Sequence, residues 1–515
     1  MKTLDQIAAE LQGYDPQALS AGAVNAFLSR LVEPVREQED VGIFDALGRV
    51  LAQDVVSPVN VPPHDNSAMD GYAFAGDALQ TQLPLTLKVI GTALAGAAWR
   101  GSVQPGECLK IMTGAVLPAG LDTVIPQEFV REFADEYAPA GQRADTGAKS
   151  TQAQANQSKA TQITIPPGLL QQGDNRRALG EDIMAGQAAL RQGERLTPAA
   201  LGLVASLGLK SVRVKRKLRV AYFSTGDEIL SLGDAPREGA VYDSNRYTVF
   251  GLLTRLGVEI IDLGVVRDEP ALLEAAFRRA ACDADAIITS GGVSVGEADH
   301  TKAMMKKLAG INDGVGDGIS DVVRDPQNAD GHESMGGVAF WRIAMRPGRP
   351  MAVGRIPRTP VARHSEPDLP DLGVKLAPSP SPICISSYTN NSELNSTEFA
   401  TLFGLPGNPV AVMVTFLAFV RPALLRMMGS TEAAPPLLKA QSLEAIRKKP
   451  GRTEYQRGIV STSADGNLFV RITGNQGSGV LSSMTEANGL IVLHHDQSSV
   501  VPGDFVDVMM FDGVI

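Results

Sequence analysis

Residues 289–302 read TSGGVSVGEADHTK, a glycine turn that follows an apolar run and leads into two carboxylates. Gly291, Gly292 and Gly296 lack a Cβ and so leave backbone N–H groups open to an anion. Glu297 and Asp299 then supply hard oxygen donors. Carboxylates beside a phosphate cradle repel the phosphate unless a divalent cation lies between them, so this order of residues points to a Mg2+–phosphate site. The segment also reads as an ordinary strand-to-helix turn with Asp299 as its N-cap.

Other apolar runs end in similar chemistry. LRVAYF is followed by STGDE at 224–228, where Ser224, Thr225 and Gly226 can approach a ligand and Asp227 and Glu228 can bind metal. VEIIDLG is followed by Asp268, and LFG by LPGNP at 405–409, a rigid turn before a helix start whose free N–H groups suit an anion. Each segment alone equally describes a capped turn; their recurrence at successive strand ends is harder to assign to turns. WRIAMRPGRP at 341–350 clusters Arg342, Arg346 and Arg349, which can clamp an oxyanion or sit on a solvated loop. PPHDNSAMDGYAF at 62–74 is dense in small polar residues, with Asp65, Asn66, Ser67 and Asp70 either capping one another in a tight turn or presenting a carboxylate to a partner domain. Arg176, Arg177, Glu181 and Asp182 in NRRALGEDI at 175–183 form a second mixed-charge knot with no single reading by itself. The histidines form no catalytic set: His300, His494 and His495 read as surface or capping residues.

These segments need a frame. From residue 218, strand-like runs alternate with helical ones: LRVAYF, a helix near 246–256, VEIIDLG, a helix at 270–282, DAIIT, a helix after Asp299, then ATLFG and a helix at 410–427. That order predicts a doubly wound parallel α/β domain over 218–429. Segments 310–337 and 356–398 are polar inserts with too little apolar content to form a core. Before this domain, 57–165 is β-rich, with LTLKVIG and CLKIM as strands and an Ala/Gln/Ser/Lys-rich insert at 134–162. Residues 1–56 with 166–217 read as a helical and linking domain, with helical spacing at 23–32 and 44–52 predicting a surface helix pair. Alternation in LFVRI and LIVLHH predicts a small β domain at 437–515.

With 515 residues the chain is expected to form several domains. A net charge of −10 argues against a general nucleic-acid binder, so an anionic ligand must be held by local cations or amides. Cys108, Cys282 and Cys384 are far apart and signal neither a zinc site nor a disulfide framework, which fits a reducing cytoplasm. The N-terminal MKTLDQIAAELQGYD has no signal-peptide pattern, and the apolar run at 410–420 is too short to span a bilayer, so no membrane association is expected.

DNSAMDGYA, KIMTGA, GEDI, STGDE, YDSNR, TSGGVSVGEAD, RPGRP and GLPGNP follow one another in this chain. Together they resemble the molybdopterin molybdenumtransferases of the MoeA type, which are also similar to the E domain of gephyrin. The resemblance implies molybdate insertion into adenylated molybdopterin with Mg2+-dependent release of AMP, by an elongated homodimer whose clefts each join the α/β domain of one subunit to the β domain of the other. It implies catalytic roles for Asp70, Thr113, Asp182, Glu228, Asp268 and Asp299, with Glu228, Asp268 and Asp299 on the metal side. It implies substrate contacts from Ser224, Thr225, Gly226, Asp243, Ser290, Gly291, Gly292, Ser294, Arg342, Arg346, Pro406, Gly407, Asn408 and Pro409. Arg342 and Arg346 stand where such proteins frequently carry lysine, which keeps the charge and changes the geometry. Contacts with the molybdopterin adenylyltransferase and with molybdoenzyme-maturation proteins are further implied partners. Two other functions remain in view. An adenylyltransferase would share the α/β domain, but here DNSAMDGYA and a C-terminal β domain flank it; a gephyrin-like scaffold would use the same chain to anchor partners.

Overall fold

The computed structural model describes residues 1–79, 82–133, 161–293, 300–309, 336–358 and 399–512. Most of the three expected inserts lies outside this set, as do Ser294, Gly296, Glu297 and Asp299. The insert edges fall within strands: Gln162 opens Gln162–Ile165, Gly337 opens Gly337–Arg342, and Ile356 belongs to Pro350–Pro357. Backbone pairing at these edges overrides their polar composition.

The chain divides into two compact units. The first comprises Met1–Gln53, Gln192–Thr197 and Ser211–Ile515. Its centre is a six-stranded sheet of β1 (Arg219–Thr225), β2 (Glu259–Val266), β3 (Ala286–Ser290), β4 (Gly337–Arg342), β5 (Pro350–Pro357) and β6 (Phe399–Leu405), in the order β2-β1-β3-β6-β5-β4. The first four of that order are parallel, whereas β5 and β4 extend the sheet antiparallel, an addition to the expected parallel domain. Period-2 alternation builds two cores. Val220 and Tyr222 of β1 pack with α1 (Leu4–Ala9), α2 (Ala21–Leu31), α3 (Ser244–Leu256) and the helix α6 (Pro409–Met427). Ala221 and Phe223 face α4 (Pro270–Asp283) and α5 (His300–Leu308) on the other side.

Two helical expectations change here. The apolar stripe of α2, Val24, Phe27, Leu28 and Leu31, is buried in the main core, so α2 is no surface helix. Residues 44–52 form no helix: a short 3-10 turn Ile43–Asp45 gives way to isolated bridges from Val50 to Arg195 and Leu51 to Val214. The helix α6 matches the expected helix at 410–427 to within one residue. Its 19 residues, including a π-helical turn Phe416–Val420, are by length and composition enough to cross a bilayer where the 410–420 run was expected to be too short, yet 89% of its apolar 18-residue window is buried inside the protein, the position of a core helix. Among the described residues Cys108 is a buried free thiol.

The C-terminal strands Leu438–Ser442, Thr453–Thr462, Leu468–Ile472, Gly489–Leu493 and Phe505–Met510 form a second six-stranded sheet, whose edge is Met345–Arg346 from the arginine loop. The second unit, Asp54–Arg191 with Pro198–Lys210, holds a six-stranded sheet with a core on each face, around Leu109 and Val124 on one and Tyr72 and Ile125 on the other. Residues 166–191, grouped above with the N-terminal helices, fall in this unit because Arg176–Arg177 pairs with Asn66–Ser67 and Ala188–Leu190 with Val55–Val56.

Candidate active site at the strand ends

β1 lies between β2 and β3, so the chain leaves it in one direction and returns on its other side. The carboxyl ends of β1 and β3 therefore flank a topological switch point, where open α/β sheets hold ligands. Three hydroxyls close its floor. Tyr222 Oη lies 2.9 Å from Ser224 Oγ and 2.7 Å from Ser290 Oγ, and the two serines are 3.2 Å apart. Ser224 and Ser290 are each 2% exposed, so they brace the neighbouring strands beneath the surface instead of facing outward. Burial, reinforced by the charge of Asp243, raises the Tyr222 pKa and keeps the phenol neutral.

On the α3 side, Asp243 caps the helix by accepting from the Arg246 amide at 3.0 Å, which satisfies a free N–H of the first turn. The buried Oδ2 of the same carboxylate has no hydrogen-bond partner. Asn245 Nδ2 donates to the Gly407 carbonyl at 2.7 Å, tying α3 to the LPGNP turn. From the C-terminal β domain, Ser478 holds the other side of that turn: its Oγ accepts from Asn408 Nδ2 at 3.1 Å and its carbonyl from the Val410 amide at 3.1 Å. Arg457, 1% exposed, fixes the Ser478 loop by donating to the carbonyls of Asn475 at 3.2 Å and Gly477 at 3.0 Å, and to Ser483 Oγ at 2.9 Å. Burial and the nearby charge of Arg346 bring the Arg457 pKa down to about 10. The charge of the exposed Arg346 is thus felt at Arg457, whose own donors are engaged in holding the Ser478 loop. Arg342, which ends β4, Arg346 and Arg349 are all exposed; of the three predicted arginines Arg346 is the one whose charge reaches Arg457. Sequence reading missed Arg457 and Ser478. Strand alternation does not distinguish a buried arginine from an exposed one, and Ser478 lies in a Gly/Ser/Asn loop with no marking feature.

The α4/α5 side carries the glycines and carboxylates. Gly291 has φ +90°, and a Cβ there would lie 2.4 Å from the Thr225 carbonyl oxygen; Gly292 has φ +65°, and its Cβ would lie 2.4 Å from Thr301 Cβ. Both positions require glycine. Thr301 Oγ1 donates to Asp268 Oδ1 at 3.2 Å and lies 3.2 Å from Thr225 Oγ1, while the Asp268 amide donates to Asp227 Oδ1 at 3.3 Å. The Glu228 carboxylate folds against Gly226, within 2.6 Å of where a Cβ would stand. Among the described residues no three of His, Cys, Asp and Glu gather into a metal cage. Asp268 reaches the glycine turn through Thr301, Glu228 lies against Gly226 at the end of β1, and Asp299 lies outside the described residues. One or two protein carboxylates with substrate phosphate are a normal Mg2+ environment, and this donor set fits that pattern.

In the second unit, Asp70 Oδ1 accepts from both the amide and the Oγ1 of Thr113, each at 2.7 Å. Those two bonds, with the charge of Lys110, hold the Asp70 carboxyl below its ordinary pKa despite some desolvation. Asp182 sits on another turn, its amide bonded to Val61, with no hydrogen bond to that pair. Asp65 instead accepts from the Leu179 amide and faces Arg176, so it serves the local turn.

Three family profiles match in order: the MoeA N-terminal region (domain I and II) over residues 19–208, a probable molybdopterin binding domain over 221–426, and the MoeA C-terminal region (domain IV) over 439–511. A molybdopterin molybdenumtransferase of Haemophilus influenzae is 34% identical over 93% of this chain and 95% of its own length. The chain belongs to that family. A molybdopterin molybdenumtransferase 2 of Mycobacterium tuberculosis is 30% identical over 91% of this chain and 94% of its own. The solved molybdopterin biosynthesis moeA protein of Pyrococcus horikoshii shares the fold, with a TM-score of 0.65 at 22% identity over 96% of this chain and 100% of its own. Membership over nearly the whole length separates this chain from a lone α/β adenylating domain.

Proposed function

We propose that this chain catalyses molybdenum insertion in molybdenum cofactor biosynthesis, joining molybdate to adenylated molybdopterin with Mg2+-dependent release of AMP. The observation that carries this reading is the match of all three MoeA regions in order, with the glycine turn, Arg346 and the carboxylates at the carboxyl edge of the α/β sheet. Molybdate, a tetra-oxo dianion, is received by the exposed Arg346, while the buried Arg457 fixes the Ser478 loop that holds the LPGNP turn. The amides around Gly291 and Gly292, with the LPGNP turn at the start of α6, hold the substrate phosphates. Glu228, Asp268 and Asp299 would hold Mg2+, which supplies charge neutralisation at the phosphoanhydride. Neither reactant needs a side-chain nucleophile; the chain's own residues bind, orient and shield the two anions. Asp70, Thr113 and Asp182 serve a cleft completed by the other subunit of a homodimer, and the protein works in the cytoplasm beside the adenylyltransferase that supplies its substrate.

Arg346→Gln tests the cation assignment. Loss of a charge-assisted contact is worth about 1.5–3 kcal/mol, so the KM for molybdate is expected to rise about tenfold or more. Arg346→Lys should recover part of it. An unchanged molybdate dependence in Arg346→Gln would remove Arg346 from the oxyanion site.

A further inference from the structure

We infer that Thr301 is a positioning residue that orients Asp268 through a one-directional hydroxyl chain; this rests on the functional reading above. Thr301 is fully buried at the start of α5 and touches three separate strand-end segments. Its Oγ1 is 3.2 Å from Asp268 Oδ1 and 3.2 Å from Thr225 Oγ1, and its Cβ stands over Gly292. A hydroxyl has one proton, and a carboxylate only accepts. Thr301 therefore gives its proton to Asp268, and Thr225 must give its own to Thr301. The order Thr225 to Thr301 to Asp268 is fixed by the charge at its end. One side chain thereby sets the orientation of the Asp268 carboxylate, the rotamer of Thr225 and the ceiling over the glycine turn. The methyl group of Thr301 serves the packing and the hydroxyl serves the chain, so the two roles separate by substitution.

Thr301→Val keeps the shape and deletes the hydroxyl; Thr301→Ser keeps the hydroxyl and deletes the methyl. If the chain orients Asp268, Thr301→Val lowers AMP release about tenfold, the usual scale for losing the partner that orients a functional carboxylate, while Thr301→Ser stays within about twofold of wild type. In an Asp268→Asn background, Thr301→Val should add less than about twofold, because the group it acts through is already lost. Hydrogen exchange without substrate or metal gives a second readout: a peptide covering Val266 to Glu269 should exchange faster in Thr301→Val and as in wild type in Thr301→Ser. A larger loss in Thr301→Ser than in Thr301→Val would reduce Thr301 to packing and overturn the inference. Full additivity with Asp268→Asn, or unchanged exchange in Thr301→Val, would also overturn it. A wild type that turns over with Thr301→Val equal to it overturns the positioning role alone, whereas a wild type that releases no AMP overturns the functional reading beneath it.

Discussion

Asp285 stands at the opposite end of β3 from the glycine turn, and its replacement should cost stability while sparing the chemistry. Its carboxylate is 6% exposed and accepts from Arg216 Nη1 at 3.0 Å and Nη2 at 3.1 Å, from Arg358 Nη2 at 3.0 Å and from the Arg219 amide at 2.9 Å. Burial pushes its pKa up, but the bonds and charge of Arg216, the Arg219 amide and Arg358 outweigh that, and the net shift is downward. Asp285→Asn keeps the shape and leaves two arginines beside a neutral amide. Removing one partner of a buried pair costs about 3–5 kcal/mol. Arg216 is 19% exposed and keeps Glu37 at 3.4 Å, which places this case at the lower end, about 3 kcal/mol. At roughly 2–4 °C per kcal/mol for a domain of this class, Tm should fall by about 6–12 °C. Because the carboxyl pKa is depressed on folding, its contribution is fully present above the unfolded value near 3.9 and is lost as pH falls through the folded value. The Tm gap between wild type and variant should therefore hold from about pH 6 to 8 and narrow below about pH 4. Differential scanning calorimetry at pH 7 and pH 3.5, with AMP release at 25 °C as control, measures both. A fall under about 2 °C, or a gap that stays constant at low pH, would refute the ion-network reasoning.

Gly292→Ala should fold and lose AMP release by at least about tenfold, since a left-handed alanine costs about 1–2 kcal/mol and its Cβ would meet Thr301 at 2.4 Å, forcing the turn to move; turnover at the wild-type rate would show that the turn holds no phosphate. For the dimer, Asp70→Ala and Asp299→Ala should each be inactive alone and partly active once mixed, because a heterodimer contains one cleft free of both lesions. No recovery after subunit exchange, confirmed by native mass spectrometry, would place both residues in a cleft built within one chain.

The α/β domain was legible because its strands are short β-branched runs separated by helical spacing, and each ended where chemistry was expected. The antiparallel pair β4 and β5 was not, since it brackets loops and an insert that hide the alternation. Residues 44–52 carry helical spacing yet turn aside to pair with Arg195 and Val214, a tertiary contact no local pattern encodes. At the site, glycines and carboxylates announce themselves by type. Ser224 and Ser290 were legible as polar strand ends, but their inward bonding to Tyr222 depends on register between β1 and β3. Ser478 reaches the LPGNP turn from a domain about 70 residues further along, with Arg457 holding its loop, and only folding brings them there.

The most direct test of the account is AMP release from adenylated molybdopterin by the purified protein, with molybdate and Mg2+ varied separately, in wild type and Glu228→Gln. The account predicts AMP release that requires both ions in the wild type, with molybdenum appearing in the product, and its loss in a folded Glu228→Gln. Molybdenum transfer by Glu228→Gln at the wild-type rate would contradict the carboxylate assignment, and a wild type that releases no AMP with both ions present would contradict the central claim.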